Sequence, residues 1–97
     1  MIHEDNRRIL ESWPEAKIIT AKKRCTVGNH SHKIKTEKFI VTKGLVFLIK
    51  NGSGHEKMER GKIYTINPLE KHSFDMFEGA EMVGLCSHPY DPNDEIK

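Results

Sequence analysis

Residues 28–44 read GNHSHKIKTEKFIVTKG, and the fold turns on how this run is understood. His30 and His32 stand two apart, Glu37 follows five residues later, and Gly44 closes the run. On an extended strand, residues i and i+2 point to the same face, about 6.6–7 Å apart along the backbone. Two imidazoles so spaced can converge on one point inside a barrel, and Glu37 can reach that point from the far side of a turn. A later strand has to bring any further ligand, and His72 is the candidate. Neutral imidazoles with one carboxylate suit a divalent first-row metal such as zinc, iron, manganese, nickel or cobalt. Three histidines and one glutamate leave coordination positions open to water or substrate, as a catalytic site does and a closed structural site does not.

Working outward, the chain breaks into short extended pieces. Glu37–Thr42 (EKFIVT) belongs to the opening run, and LVFLIK follows at 45–50 after the break at Gly44. Asn51-Gly52-Ser53-Gly54 is the clearest hairpin turn. His55–Arg60 returns as a polar, exposed strand, Gly61 turns again, and Lys62–Ile66 alternates before a corner at Asn67-Pro68. His72–Phe77 sets His72, Phe74 and Met76 on one face, and Ala80–Cys86 is a last apolar strand. The tail SHPYDPNDEIK, rich in proline and acid, reads as coil over a barrel end. Upstream, Lys17–Thr20 and Thr26–His32 are strands. The first fifteen residues admit a short helix capped by Asp5 and holding Ile9, Leu10 and Trp13. They equally admit an edge strand over Arg7–Glu11, which is preferred; Pro14 ends either one. Eight or nine short strands with no long helix predict an all-β sandwich or barrel. A jelly roll is one way to close such a set.

Size and charge narrow the function classes. A chain of 97 residues is expected to be one domain, 1–97. Its core is small and its sheet edges need cover, so a homodimer is expected. With 31% charged and 36% hydrophobic residues, the chain reads as a soluble globular protein. No apolar run approaches the roughly 18 residues that span a bilayer. MIHEDNRRIL has no apolar h-region, so neither a membrane nor a secretory signal is expected and the cytoplasm is the expected location. The formal charge of +2 is too mild for nucleic acid as a partner. Lys22, Lys23 and Arg24, with Lys33 and Lys35 nearby, read as a solvated edge rather than a counter-charge for a phosphorylated small molecule. Cys25 and Cys86 read as reduced thiols, Cys86 in the core. His3, His55 and His88 fit no motif. Tyr64, Phe39, Phe47, Phe74 and Met76 read as core or pocket wall, and Lys35 and Lys38 as exposed.

The spacing His30-x-His32-x4-Glu37-x6-Gly44 resembles the first motif of the cupins, and Gly61 to His72 resembles the second. The likeness covers nearly the whole chain. Asn67, Leu69 and Met76 stand where that family usually has proline, glycine and asparagine, while the histidine is kept. The resemblance implies a double-stranded β-helix, that is, a jelly-roll barrel. It implies a divalent metal (zinc, iron, manganese or nickel) held by His30, His32, Glu37 and His72.

Within the cupins, the run 28–44 and the tail HPYDPNDEIK are similar to the C-terminal cupin domain of capsular-polysaccharide reductase/epimerases. Asp5-Asn6-Arg7-Arg8 followed by Leu10 looks like the start of nucleotide-sugar 3,4-ketoisomerases. Val27 stands where an arginine commonly precedes the histidine segment in those enzymes. The likeness implies polysaccharide biosynthesis and an isomerase or epimerase acting on a keto-sugar or sugar nucleotide by metal-assisted proton transfer. A metal-dependent dioxygenase and a non-catalytic small-ligand-binding cupin remain as alternatives. No residue is singled out as catalytic beyond the ligands.

Overall fold

The computed structural model describes residues 1–51 and 53–96. The strands are β1 (Ile2–Glu4), β2 (Arg8–Trp13), β3 (Ala16–Ala21), β4 (Cys25–His32), β5 (Glu37–Lys43) and β6 (Val46–Lys50). They continue with β7 (His55–Lys57), β8 (Ile63–Ile66), β9 (His72–Met76), β10 (Glu81–Cys86) and β11 (Glu95–Ile96). One sheet runs β1-β2-β3-β10-β5-β8 and the other β11-β4-β9-β6-β7. Every paired strand is antiparallel. This is the all-β jelly roll expected from the sequence. Among the described residues no helix is long and apolar enough to cross a membrane.

Strand alternation builds the core. Along β5, Glu37, Phe39 and Val41 are buried while Lys38 is exposed and Ile40 is half-buried. Leu48, Phe74, Met76 and Met82 enter the same cluster from β6, β9 and β10, with Tyr64 and Ile66 from β8. Each large apolar side chain so buried is worth about 1.5–3 kcal/mol. Two glycines allow close backbone approach. Gly44 has φ +75°, and a Cβ there would lie 2.8 Å from the Cα of Ala80. Gly28 has φ +87°, and a Cβ there would lie 3.3 Å from the carbonyl oxygen of His72.

Several expectations need correcting at the edges. The strand preferred over Arg7–Glu11 is present as β2, ending before Pro14, but it is not the edge, since Ile2–Glu4 pairs with Ile9–Glu11 as a further strand. The exposed strand after the hairpin turn is shorter than expected, His55–Lys57. Gly52 of that turn lies outside the described residues. The tail is not all coil, because Glu95 and Ile96 pair with His32 and Ser31 at the open edge of β4. Lys35 is buried rather than exposed, at 5% of its accessible surface. Its ammonium lies 6.0 Å from the centre of the Tyr90 ring, where the tail returns over the β4–β5 loop. Cys86 is half-buried, and both cysteines are free thiols.

Candidate metal centre

A bulge in β4 aims the first histidines. The pairing of β4 with β9 shifts register between Gly28 and His30, leaving Asn29 as the extra residue at φ +71°. A bulge of this kind turns the following side chains, and such irregularities collect beside functional sites. His30 then pairs directly with His72 across the ladder. The His30 ring centre lies 4.7 Å from that of His32 and 4.9 Å from that of His72.

Glu37 comes from the opposite sheet, at the start of β5, and is fully buried. One ligand atom from each of His30, His32, Glu37 and His72 falls within 4.8 Å of the others. All four residues singled out by the sequence are therefore in one place. His32 Nε2 is 3.1 Å and His72 Nε2 3.4 Å from Glu37 Oε1.

The donor set fits a divalent cation. His32 Nε2 and Glu37 Oε1 are buried with no hydrogen-bond partner, despite their short separation. Buried polar atoms are costly when unpaired, and a cation between these atoms would satisfy them. Of the outward-facing ring atoms, that of His72 is held by a hydrogen bond, while His32 Nδ1 is buried without one. His72 Nδ1 is 3.2 Å from the Glu70 carbonyl oxygen, which accepts its N–H and leaves the Nε2 lone pair for the centre. His32 Nδ1 faces Asp94 Oδ2 at 3.6 Å, and His30 Nδ1 faces Glu95 Oε1 at 3.8 Å.

Asp94 and Glu95 lie in the tail, which closes this end of the barrel and sits behind two of the histidines. Asp94 is itself anchored, with Oδ1 accepting the Ile34 N–H at 2.8 Å. Burial works against its charge, but the backbone N–H groups of Ile34 and Lys35 more than offset that and hold its pKa below the ordinary value.

The far oxygen of Glu37 is occupied. Lys17 Nζ donates to Oε2 at 2.9 Å, and Cys86 Sγ lies 3.6 Å from the same oxygen. Lys17 sits on β3, two strands from β5, with β10 between them. It reaches Glu37 across Gly84, which pairs with both Lys17 and Phe39. A Cβ at Gly84 would meet Phe39 Cε1 at 2.8 Å and Lys17 Cε at 3.0 Å. The missing side chain is what lets the lysine lie flat across the sheet.

Burial would raise the pKa of Glu37, but its contacts, the Lys17 ammonium among them, outweigh that and hold it well below the ordinary carboxylate range. For His30, burial and the adjoining His72 push the pKa down to about 4, so the ring is neutral near pH 7 and able to donate a lone pair. Burial also lowers the pKa of His32, with Glu37 opposing that shift. Burial chiefly raises the pKa of the Cys86 thiol.

No protein-family model matches the chain, and no curated protein matches it. Solved structures do. The capsular polysaccharide assembling protein CapF from Staphylococcus aureus superposes with a TM-score of 0.80 at 20% identity, over 98% of this chain and 33% of CapF. The fold is that of a cupin. A double mutant of the 3,4-ketoisomerase QdtA from Thermoanaerobacterium thermosaccharolyticum, in complex with TDP, gives 0.71 at 30% identity. That match covers 84% of this chain and 63% of QdtA. A 3,4-ketoisomerase from Helicobacter canadensis gives 0.72 at 22% identity, over 99% and 84% of the two chains. The chain thus spans a third of CapF and less than two thirds of QdtA. Its neighbours include sugar ketoisomerases.

The basic run at 22–24 stands apart from the cluster. Lys22 pairs with Glu4 at 2.7 Å and Arg24 with Asp75 at 2.9 Å. Sequence reading missed Lys17, Asp94 and Glu95 as supports of the ligands. Only Gly84, a lone glycine inside an apolar strand, carried a signal of close approach.

Proposed function

We propose that His30, His32, Glu37 and His72 hold a divalent metal ion, and that the protein is an isomerase or epimerase of a keto-sugar, with a sugar nucleotide as the substrate class. The observation that carries the metal reading is the pair of unsatisfied buried atoms facing each other, His32 Nε2 and Glu37 Oε1, inside a four-residue cluster in which His72 is held from behind by the Glu70 carbonyl. The likeness to sugar 3,4-ketoisomerases, one of them bound to TDP-4-keto-6-deoxyglucose, supports the substrate class. A divalent cation held by these four residues would supply Lewis acidity toward a carbonyl oxygen. The protein's own residues define the rest. Glu37 brings one anionic oxygen, because Lys17 occupies the other. His32 and His72 are buried, and His30, with its side chain 18% exposed, is the most open of the four.

A second reading rests on that exposed histidine. His30 is neutral and backed by Glu95, the arrangement of a general base with its orienting carboxylate. In that reading His30 removes the proton beside the sugar ketone and no metal is required. Metal analysis of protein purified without chelators separates the two. Incubation with TDP-4-keto-6-deoxyglucose in D2O then tests the activity: deuterium should appear at the carbon beside the ketone, in step with bound metal. Exchange that is unchanged after chelation supports the second reading. No exchange with any keto-sugar refutes both.

A further inference from the structure

A cleft of about 460 Å3 opens beside the cluster, lined by Arg8, Gly28, Asn29, His30, Lys71 and Glu95. Two of these residues are cations from opposite sheets. Arg8 pairs with buried Ala21 and lies on the same face of β2 as Leu10, which packs on the core, so its side chain is directed between the sheets toward the β4 bulge. Lys71 precedes His72 at the entry to β9. Neither makes an ion pair among the described residues, whereas Lys17, Lys22, Arg24 and Lys50 all do. Arg8 Nε is buried without a hydrogen-bond partner. At the same wall the bulge takes Asn29 out of the β4–β9 ladder.

An unsatisfied guanidinium nitrogen, an unpaired ammonium and an unpaired stretch of strand thus meet within reach of His30. Guanidinium is the group best matched to an oxyanion, with lysine adding a point charge. We infer that Arg8 and Lys71 form an anion-binding subsite that holds the phosphate or carboxylate of the substrate beside the metal cluster. It rests on the isomerase reading only for the identity of the substrate; the cleft and its cations stand without it. Glu95, on the His30 side, disfavours an anion there and leaves that end for the uncharged sugar.

The test is calorimetric titration of the full chain, stripped of metal, with pyrophosphate, TDP and glucuronate, on wild type and on Arg8→Gln, Lys71→Met and Lys23→Met. Stripping removes any contribution of a metal to anion binding. At least one probe should bind wild type, more weakly as salt is raised. Losing one charged contact should weaken binding about tenfold in Arg8→Gln and in Lys71→Met. Lys23→Met, an exposed residue away from the cleft, should bind as wild type does. Binding of TDP or pyrophosphate identifies a phosphate, and binding of glucuronate alone a carboxylate. Lys71 is exposed, so its variant keeps the test informative should Arg8→Gln fail to fold. No binding of any probe to wild type, or equal binding by Lys71→Met and wild type, overturns the subsite. A separate metal titration judges the metal centre: anion binding without metal binding would refute that reading and leave the subsite standing.

Discussion

Two buried carboxylates in this barrel each face a cation, and only one of them is finished. Asp75, on β9, receives both arms of Arg24, Nε at 3.2 Å and Nη2 at 2.9 Å, and the same guanidinium lies 4.4 Å from the centre of the Phe77 ring. Both oxygens are satisfied, and nothing further is needed there. Glu37 receives Lys17 on Oε2, while Oε1 faces two histidine nitrogens with no hydrogen bond. His72 and Asp75 sit three residues apart on one strand, so a single strand contributes to a completed pair and to an incomplete one. A saturated pair closes structure. A half-saturated pair in the buried interior marks a place for something else to bind.

The most direct way to break this contrast is to change the two carboxylates in parallel. Glu37→Gln should lower divalent-metal affinity by more than about 100-fold, since even outer partners of metal ligands are worth 10–100-fold. Asp75→Asn should leave metal affinity unchanged. Competition against a chromophoric chelator measures both, and equal affinities for Glu37→Gln and wild type would remove the distinction.

Lys17 sharpens the comparison from the other side. If it serves to leave a single oxygen of Glu37 for the metal, Lys17→Met should weaken metal binding by about 10–100-fold. Lys17→Arg should recover most of that loss. A purely structural lysine would lower the melting temperature of the metal-free protein without changing metal affinity in the refolded fraction.

The incomplete pair was partly legible in the sequence. His30 and His32 announced themselves through period-two spacing, because a strand places i and i+2 on one face whatever surrounds it. Glu37 and His72 were found through family spacing, since no local rule brings β5 and β9 together. Lys17 was invisible as a partner: its reach depends on β10 lying between β3 and β5, on the register that sets Gly84 beside it, and on the missing side chain there. The tail was misread for a related reason. Prolines at 89 and 92 and scattered acids signal coil locally, and only the open edge of β4 turns Glu95 and Ile96 into a strand. Lys35 was expected to be exposed because lysine rarely buries; the returning tail covers it, and sequence gives no measure of that. Alternation located the core well, because one-sided burial is a property of each strand by itself.

Asp94 probes whether the tail is part of the incomplete site or only its cover. Asp94→Asn keeps an oxygen for the Ile34 N–H but removes the charge behind His32. Metal affinity should fall about tenfold, the lower end expected for a partner behind a ligating histidine. Melting temperature of the metal-free protein should change little. The reverse pattern, a large loss of stability with unchanged affinity, would make the tail a cover alone.

The smallest effect belongs to the finished pair, and pH exposes it. Side-chain hydrogen bonding from Arg24 chiefly holds the Asp75 pKa below its ordinary value of 3.8. A carboxylate whose folded pKa is depressed contributes stability that is fully present above the unfolded value and is lost as pH falls through the folded one. Asp75→Asn should therefore melt slightly below wild type at neutral pH, and the two melting curves should converge as pH drops below 3.8. The neutral-pH gap should be modest, because the Arg24 side chain is 64% exposed and water screens the pair. Raising salt should narrow that gap further. A gap that persists undiminished in acid would mean that the aspartate acts through packing against its neighbours rather than through its charge, and the contrast with Glu37 would then concern shape instead of electrostatic completion.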